Sequence, residues 1–460
     1  MTLIKSISGI RGTIGGKSGD NLTPEDIIKF TAAFGQWISR NGKNKTIVIG
    51  RDARPSGTMV SALVSNTLQA LGMQVIDLGL STTPTVEVAV TCENAIGGII
   101  ITASHNPVEW NALKLLNGLG EFISDSDGRE ILTIANAFDY EYAVVEQLGS
   151  VQMKDSYIDI HINKILDLDL VNAAAIREKK YKIVVDGINS TGGIAIPKLL
   201  NALGVNDVVL LNGVPDGNFS HNPEPLPENL FELSQMVKDK NADLGIAVDP
   251  DVDRLAFVCE DGSMFGEEYT LVAVADYVLK NKKGNTVSNL SSTRALRDIT
   301  ENAGGIYAAS AVGEVNVVKK MKEINAVIGG EGNGGIIYPE LHYGRDALVG
   351  VALFLSHLAT SGESCLSLKA RYPSYVISKN KIKLTEEVNI EQVLNAVRKK
   401  YANYPMNDED GVKIEFAEGW VHLRSSNTEP IIRIYAEGKS KDAADELAHK
   451  IMMDIELMGN

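Results

Sequence analysis

Short apolar runs alternate with amphipathic segments of helical period along most of the chain. Three segments show this alternation. They are KTIVIGRDARPSGTMVSALVSNTLQALGMQVIDLG from Lys45, KIVVDGINSTGGIAIPKLLNALGVNDVVLLNG from Lys182, and NTVSNLSSTRALRDITENAGGIYAA from Asn285. Strands that alternate with helices predict βαβ units, whose ligand-binding loops follow the carboxyl ends of the strands. The pattern therefore predicts three similar α/β domains with mixed sheets, in series.

The end of the chain follows a different pattern. GVKIEFAEGWVHLRSSNTEPIIRIYAEG (411–438) predicts antiparallel strands around a loop, and SKDAADELAHKIMMDIELM (440–458) predicts an amphipathic helix. We expect a smaller C-terminal α+β domain after a hinge-like linker at SLKARYPS, where Pro373 stops any helix. The predicted domains, arranged around a central cleft, are residues 1–152, 153–253, 254–368 and 374–460.

Charge and cysteine content narrow the function. A formal net charge of −15 without a basic run argues against nucleic acid or anionic membranes as partners. The three cysteines, Cys92, Cys259 and Cys365, are far apart, so neither a disulfide framework nor a zinc site is indicated. The chain starts without the apolar core of a signal peptide, and no run approaches the roughly 20 apolar residues that span a bilayer. We expect a cytoplasmic protein.

A serine follows the most apolar strand of the first domain. Residues 99–101 are three isoleucines that predict a buried strand, and Pro107 prevents its continuation. Ser104 therefore lies at a strand end, where open sheets bind ligands. The simpler alternative is a turn of Ser, His, Asn and Pro. A hydrolase triad is disfavoured, because the GxSxG elbow is absent and His105 is adjacent to the serine.

Three aspartates alternate after a second apolar run, in DPDVDR. In an extended chain Asp249, Asp251 and Asp253 project to one side and converge on one cation. Ligands that are all oxygen suit a hard ion such as Mg²⁺. An EF-hand is excluded, because Arg254 occupies the sixth position, where Gly is required. An Asp-rich turn without a metal is the remaining alternative.

Two further loops carry ligand-binding residue types. In GGEGNGG (329–335) the glycines let the backbone approach a ligand and leave Glu331 and Asn333 as the polar side chains. In RSSNTEPIIR, guanidinium, hydroxyl and amide donors suit the oxygens of a phosphate, although a solvated hairpin tip is the alternative. The candidate phosphate ligands are Arg424, Ser426, Asn427, Thr428 and Arg433.

Together and in order, these loops resemble those of the α-D-phosphohexomutase family. TASHNP is similar to the phosphoserine loop, DPDVDR to the metal loop, GEGNGG to the sugar loop and RSSNTEP to the phosphate loop. SGIRG, GRDAR, TTPT and PDGNFSHNPEP also match, so the resemblance covers nearly the whole chain. It implies an enzyme that interconverts hexose 6-phosphates and hexose 1-phosphates.

The resemblance also implies the chemistry. A phosphoserine at Ser104 donates its phosphoryl group to the sugar, and the resulting hexose 1,6-bisphosphate, which is also the activator, turns around and returns the other phosphoryl group. One Mg²⁺ per chain is bound by the three aspartates and Ser104, and Arg254 contacts the phosphoryl oxygens. Arg11 and Lys114 serve in proton transfer, and His105 orients the phosphoserine; an ordinary surface lysine is the alternative for Lys114.

The sequence departs from the usual family pattern in the sugar loop. Asn333 stands where Ser is usual, and Gly335 stands where His is usual. The help expected from that His is therefore absent, or it comes from another residue such as His342 or Arg345.

The form GEGNGG followed by YGRDA is most similar to the phosphoglucosamine mutase branch. We therefore expect conversion of glucosamine 6-phosphate to glucosamine 1-phosphate, by a monomer or homodimer. A dual phosphomannomutase/phosphoglucomutase is the alternative substrate specificity. A sugar-phosphate binding protein without turnover, or a phosphatase with an aspartate nucleophile, is the alternative of a different class.

Overall fold

The computed structural model describes residues 2–6, 9–40, 44–383, 390–425 and 431–459. The strands are β1 (Ile4–Ser6), β2 (Gly9–Thr13), β3 (Thr46–Arg51), β4 (Gln74–Leu80), β5 (Gly97–Ile101), β6 (Trp110–Leu116), β7 (Ser150–Met153), β8 (Lys182–Asp186), β9 (Asp207–Leu211), β10 (Leu244–Val248), β11 (Leu255–Cys259), β12 (Asn285–Asn289), β13 (Tyr307–Ser310), β14 (Ala326–Glu331), β15 (Gly335–Ile337), β16 (Val376–Lys383), β17 (Met406–Asn407), β18 (Val412–Glu415), β19 (Trp420–Ser425) and β20 (Ile431–Gly438).

The helices are α1 (Pro24–Ser39), α2 (Gly57–Ala70), α3 (Thr83–Cys92), α4 (Asp125–Ala137), α5 (Tyr157–Leu166), α6 (Ala173–Lys179), α7 (Gly192–Leu203), α8 (Phe231–Asp239), α9 (Glu267–Asn281), α10 (Ala295–Asn302), α11 (Glu314–Ile324), α12 (Ala347–Ser361), α13 (Cys365–Lys369), α14 (Ile390–Lys400) and α15 (Lys441–Gly459). The chain separates into two compact units, residues 1–277 with 333–368, and residues 278–332 with 369–460. No helix in the described ranges is long and apolar enough to cross a membrane.

The first unit contains a seven-stranded mixed sheet in the order β1-β2-β6-β5-β3-β4-β7. Strand β5 is buried along its whole length, as its isoleucines predict, and pairs in parallel with β3. Strand β6 returns antiparallel to β5, with Lys114 opposite Ile100, and β2 pairs with β6, with Arg11 opposite Ala112. The sheet therefore places Lys114 on the strand next to the one that precedes Ser104, and Arg11 on the strand beyond it.

A second mixed sheet in the same unit has the order β11-β10-β8-β9. Strand β10 is fully buried and pairs in parallel with β8, while β11 returns antiparallel with Leu255 opposite Val248. The aspartates 249, 251 and 253 therefore form the connection of a hairpin at the carboxyl end of a central strand. This is the position at which open α/β sheets bind ligands.

Helix α12 of the first unit is apolar on all sides and buried along most of its length. Asp346 is its N-cap residue, and the Asp346 carboxylate accepts hydrogen bonds from the N–H groups of Leu348 and Val349. A helix that is apolar all round needs cover on every face, and α5, α6 and α7 provide it. The segment just before α12 is thus held in a fixed place.

The second unit contains a parallel arrangement of β13, β12 and β14 and an antiparallel sheet in the order β16-β20-β19-β18-β17. The predicted antiparallel strands and the predicted terminal helix, α15, are both present. In the pairing of β19 with β20, Arg424 lies opposite Arg433. The predicted fold class, α/β domains in series with a smaller α+β domain at the C-terminus, is confirmed.

Candidate active site

Three buried aspartates form the centre of the first unit's most polar cluster. Ligand oxygens of Asp249, Asp251 and Asp253 lie within 4.8 Å of one another. The prediction that an extended chain brings them together is wrong, because the segment is a turn closed by a hydrogen bond of 3.1 Å from Val252 N–H to Asp249 O. Val252 has a φ of 62°, in the left-handed region that a β-branched residue adopts only at a cost. The carboxylates converge through this strained turn.

Neighbouring loops hold the strained turn in place. The hydroxyls of Ser190 and Thr191 both donate to Pro250 O, at 2.7 and 2.8 Å. Thr83, at the start of α3, donates its N–H to Asp251 O at 2.8 Å and its hydroxyl to Asp251 Oδ2 at 2.5 Å. These contacts supply the external constraint that a costly backbone conformation requires.

The aspartate trio fits a divalent cation. Asp251 Oδ1 and Asp253 Oδ1 are buried and have no hydrogen-bond partner within the described part of the chain. Burial, together with the charges of Asp253 and Asp251, holds the pKa of Asp249 well above its usual value. A buried carboxylate oxygen without a partner is costly, and a hard cation that prefers oxygen ligands would satisfy both oxygens.

Ser104 directs its hydroxyl at this trio. Its Oγ donates a hydrogen bond of 2.7 Å to Asp249 Oδ2. Ser104 has a left-handed φ of 49°, and its N–H donates to the Thr102 hydroxyl at 2.9 Å. The Nδ1 atom of His105 lies 3.4 Å from Ser104 Oγ. The serine is thus not a free turn residue, since its side chain faces three carboxylates.

The guanidinium of Arg54 anchors the serine loop through its backbone. Arg54 is buried and donates to the carbonyl oxygens of Ser104, Asn106 and Pro107 at 2.5, 2.6 and 2.5 Å. Its Nε donates to Asp52 Oδ2 at 3.0 Å. Sequence reasoning matched GRDAR to the family but assigned Arg54 no role. The available signal was a charged Asp-x-Arg directly after a buried strand.

We expect Arg54→Met to destabilise the protein by about 3–5 kcal/mol, because it leaves the buried carboxylate of Asp52 and several carbonyl groups unpaired. Urea unfolding monitored by circular dichroism measures the free energy of unfolding. Arg129→Met is the control, since the Arg129 side chain is 68% exposed. Equal stability of the two variants would show that Arg54 does not anchor the loop.

Two cations compensate the aspartate trio. Lys114 Nζ lies 2.7 Å from Asp251 Oδ2 and 3.5 Å from Asp253 Oδ2, and Arg345 donates to Asp253 Oδ2 at 2.7 Å. Burial opposes the charge of Lys114, but the two aspartates outweigh it and raise its pKa above the usual value. The alternative of a surface lysine is wrong, because Lys114 is only 8% exposed.

Arg345 fills the space over Gly335. A Cβ atom on Gly335 would lie 2.3 Å from Arg345 Cδ, so the glycine leaves room for the arginine stem. The N–H of Gly335 donates to Asn333 Oδ1 at 3.2 Å. Of the two residues considered as replacements for the family's usual His, Arg345 is the one that contacts the trio, through Asp253.

His342 belongs to a different buried cluster. Its Nδ1 lies 3.2 Å from Glu87 Oε2, and its Nε2 lies 3.3 Å from Asp346 Oδ2. His161 Nε2 contacts the same Asp346 oxygen at 3.0 Å. Burial opposes protonation of His342, but the hydrogen bonds and charges of the two carboxylates outweigh it and raise its pKa to about 10. His342 therefore carries a buried positive charge between α3 and α12.

This raised pKa predicts a pH dependence of stability. A His whose pKa is higher in the folded state stabilises most below its ordinary value of about 6.5, and the contribution is lost as the pH rises through about 10. We expect the free energy of unfolding to fall less steeply between pH 7 and 10 in His342→Gln than in the wild type. Urea unfolding at several pH values measures this, with His449→Gln as an exposed control. Parallel curves for His342→Gln and wild type would contradict it.

Arg254 and His105 line the same region. The backbone N–H of Arg254 donates to Asp249 Oδ1 at 3.0 Å, and its Nη1 donates to Glu224 Oε1 at 2.8 Å. Burial, and then the charge of Arg254, hold the pKa of His105 well below its usual value, with Arg11 contributing in the same direction. His105 is therefore neutral. Sequence reasoning did not single out Glu224, which lies in the matched PDGNFSHNPEP segment.

The sugar-loop and phosphate-loop candidates of the second unit have separate surroundings. Glu331 Oε1 accepts hydrogen bonds from Asn289 Nδ2 at 2.8 Å and from Gly313 N–H at 3.0 Å. Arg424 and Arg433 are cross-strand neighbours, and like charges opposite each other repel. An anion between them would relieve that repulsion. The other candidates, Ser426, Asn427 and Thr428, lie outside the described residues.

The order and fold of the domains place the chain among the α-D-phosphohexomutases. Sequence models of the four phosphoglucomutase/phosphomannomutase domains match: α/β/α domain I at residues 3–141, domain II at 156–262, domain III at 266–375 and the C-terminal domain at 380–453. The chain belongs to the phosphoglucomutase/phosphomannomutase family.

Individual relatives agree with this assignment. The chain is 36% identical to a phosphoglucomutase/phosphomannomutase of Thermococcus kodakarensis, over 95% of this chain and 96% of the relative. It is 35% identical to a probable phosphoglucosamine mutase of Methanopyrus kandleri, over 96% and 95%. A solved family structure from Burkholderia thailandensis superposes with a TM-score of 0.85 at 26% identity and covers 99% of this chain and 98% of its own.

Proposed function

We propose that the protein interconverts hexose 6-phosphates and hexose 1-phosphates, with Ser104 as the phosphoryl carrier. The observation that supports this most is the hydrogen bond of 2.7 Å from Ser104 Oγ to Asp249 Oδ2, beside two carboxylate oxygens that have no partner among the described residues. Family membership supports the same activity.

The proposed transfer exchanges one ester bond for another. A sugar hydroxyl oxygen bonds to the phosphorus of the Ser104 ester, the bond from phosphorus to Oγ breaks, and the bond electrons remain on Oγ. The sugar is then a bisphosphate. After it turns around, Ser104 Oγ bonds to the phosphorus of its other phosphoryl group, the bond from that phosphorus to the sugar oxygen breaks, and the product leaves with one phosphate. Atoms balance without any other reactant, so a bisphosphate serves as activator only to load Ser104.

Asp249, Asp251 and Asp253, with Ser104, are the residues that would bind one Mg²⁺ per chain. When bound, such an ion supplies positive charge beside the transferring phosphoryl group. Phosphoserine and a sugar phosphate are both anions, and two unit charges about 5 Å apart repel by roughly 3 kcal/mol at a dielectric of 20. The positive charges of Arg345 and Arg254 also act on the trio: against the effect of burial, both lower the pKa of Asp253, and Arg345 contacts that carboxylate directly.

Lys114 and Arg11 are the residues proposed for proton transfer. As an ammonium next to Asp251, Lys114 can give a proton to the sugar oxygen when the phosphoryl group returns to Ser104. In the opposite direction the neutral amine of Lys114 accepts the proton of the sugar hydroxyl and Ser104 Oγ takes up a proton, so that in net terms one proton moves from the sugar to the serine. The neutral His105, 3.4 Å from Ser104 Oγ, is suited to orient the serine without adding charge.

The remaining candidates are assigned to the substrate by family likeness. Glu331 and Asn333 are proposed to bind sugar hydroxyls. Arg424 and Arg433, with the loop between them, are proposed to bind the phosphate that does not react; their position opposite each other supports this. The loop residues proposed to bind this phosphate are Ser426, Asn427 and Thr428.

We propose glucosamine 6-phosphate as the preferred substrate, which the relative from Methanopyrus kandleri supports. Dual activity on mannose and glucose phosphates is the second candidate, because the relative from Thermococcus kodakarensis carries that name at 36% identity. Turnover of glucosamine 6-phosphate, mannose 1-phosphate and glucose 1-phosphate, each with a trace of the matching bisphosphate, decides between them. A kcat/KM highest for mannose or glucose phosphate would overturn the first candidate.

A further inference from the structure

A cationic cavity of about 280 Å³ lies within the second unit. Its polar lining comes from helix α10 and its N-cap, from β13, and from β17 and β18. The side chains that matter are those of Arg294, Arg297, Tyr307, Lys413 and Glu415. The residues assigned to phosphoryl transfer do not line it.

Three lining cations share one lining carboxylate. Glu415 Oε2 lies 3.0 Å from Arg294 Nη2 and 3.6 Å from Arg297 Nη1, and Glu415 Oε1 lies 3.9 Å from Lys413 Nζ. The nearby Glu437 accepts a hydrogen bond of 2.7 Å from the indole of Trp420, and its Oε1 also lies 3.5 Å from Arg294 Nε. Three cations therefore face two carboxylates, which leaves one excess positive charge at the cavity in a chain of net charge −15.

Lys413 has unmet hydrogen-bonding capacity. It is 6% exposed, and its ammonium donates no hydrogen bond to any residue that the structure describes. Its closest contacts are the 3.9 Å ion pair with Glu415 and the ring of Trp420, whose centroid is 4.1 Å away. Burying an ammonium without hydrogen bonds is costly. Burial is accordingly the main cause that lowers the pKa of Lys413 to about 8, with Arg297 and Arg294 acting in the same direction against Glu415 and Glu437.

We propose that this cavity binds a small oxyanion, a phosphate or carboxylate group, through Lys413, Arg294 and Arg297. Guanidinium and ammonium groups form their strongest hydrogen bonds with such anions. The volume is below the roughly 300 Å³ at which pockets for drug-sized ligands begin, so the ligand is a small ion or the anionic group of a small metabolite. An anion there gives Lys413 an acceptor and offsets the excess positive charge.

Chemical modification of Lys413 tests the site directly. The full-length protein is treated with acetic anhydride from pH 7 to 10, in chloride or in inorganic phosphate of equal ionic strength, and acetylation of each lysine is measured by peptide mass spectrometry. A bound anion favours the charged form of Lys413, and charged amines do not react with the anhydride. We therefore expect phosphate to slow acetylation of Lys413 at pH 8 about fivefold or more. The pH at which Lys413 becomes reactive should also be higher in phosphate than in chloride. Lys441, whose side chain is 74% exposed, reports any effect on the reagent itself.

Arg297→Gln distinguishes this cavity from phosphate binding elsewhere in the protein. We expect the variant to retain mutase turnover while the phosphate protection of Lys413 is lost. A parallel experiment with malonate in place of phosphate distinguishes carboxylate ligands from phosphate ligands. If malonate protects Lys413 as well as phosphate does, the ligand is a carboxylate, and if it protects less, the ligand is a phosphate ester. The proposal is overturned if Lys413 is acetylated equally with and without phosphate, if it is not acetylated in either solution, or if Arg297→Gln keeps full protection.

Discussion

Ser104→Ala is expected to reduce mutase turnover by at least about a thousandfold, because the carrier oxygen of the phosphoryl group is removed. The same substitution should remove a mass increase of one phosphoryl group, which we expect in the intact mass of the wild-type protein after exposure to bisphosphate. Turnover is measured with glucosamine 6-phosphate and intact mass by electrospray spectrometry. The two measurements address the same oxygen by independent means.

Ser126→Ala is the matched control, since Ser126 is an exposed serine of the same unit. It should retain both turnover and the phosphoryl adduct. If Ser104→Ala turned over at the wild-type rate, the carrier mechanism would be abandoned. A phosphoryl adduct on an aspartate of residues 249–253 would instead favour the phosphatase alternative.

Asp251→Asn is expected to weaken divalent-cation binding at least about a hundredfold, since even changes to residues that only support metal ligands cost ten- to a hundredfold. The size of the side chain is kept, but one charge of the trio and the partner of Lys114 are lost. Turnover should fall by about a thousandfold. Titration calorimetry with Mg²⁺ and with Mn²⁺, in the absence of substrate, measures the affinity independently of activity.

Asp155→Asn provides the comparison, because Asp155 is an exposed aspartate of the same unit. It should bind both metals as the wild type does. Unchanged metal affinity in Asp251→Asn, together with full turnover, would remove the trio from the mechanism. Unchanged metal affinity with lost turnover would restrict the role of Asp251 to its contact with Lys114.

The fold was largely predictable because its signals are local. The apolar run of β5 and the alternation of apolar and amphipathic segments can each be recognised from residues that are close together in the chain. Both patterns predicted the observed elements. The antiparallel strands predicted within residues 411–438 are also present. The predicted boundaries at 152/153, 253/254 and 368–374 stay predictions.

The candidate site was predictable in its residue types and not in its geometry. The aspartates were identified by their spacing, yet a left-handed Val252 within a turn, and not an extended strand, brings them together. That conformation depends on Ser190, Thr191 and Thr83, which are remote in the chain. Contacts between residues far apart in sequence leave no periodic pattern in a single chain.

The anchoring of the serine loop by Arg54 has a consequence for how the loop can vary. Arg54 binds main-chain oxygens of residues 104, 106 and 107 and none of their side chains. Every amino acid has a backbone carbonyl oxygen, so these hydrogen bonds from Arg54 do not depend on the side chains of the loop. Substitutions at positions 105 and 106 can therefore change the polarity and charge around the Ser104 hydroxyl, while the hydrogen bonds that hold the loop backbone in place are kept.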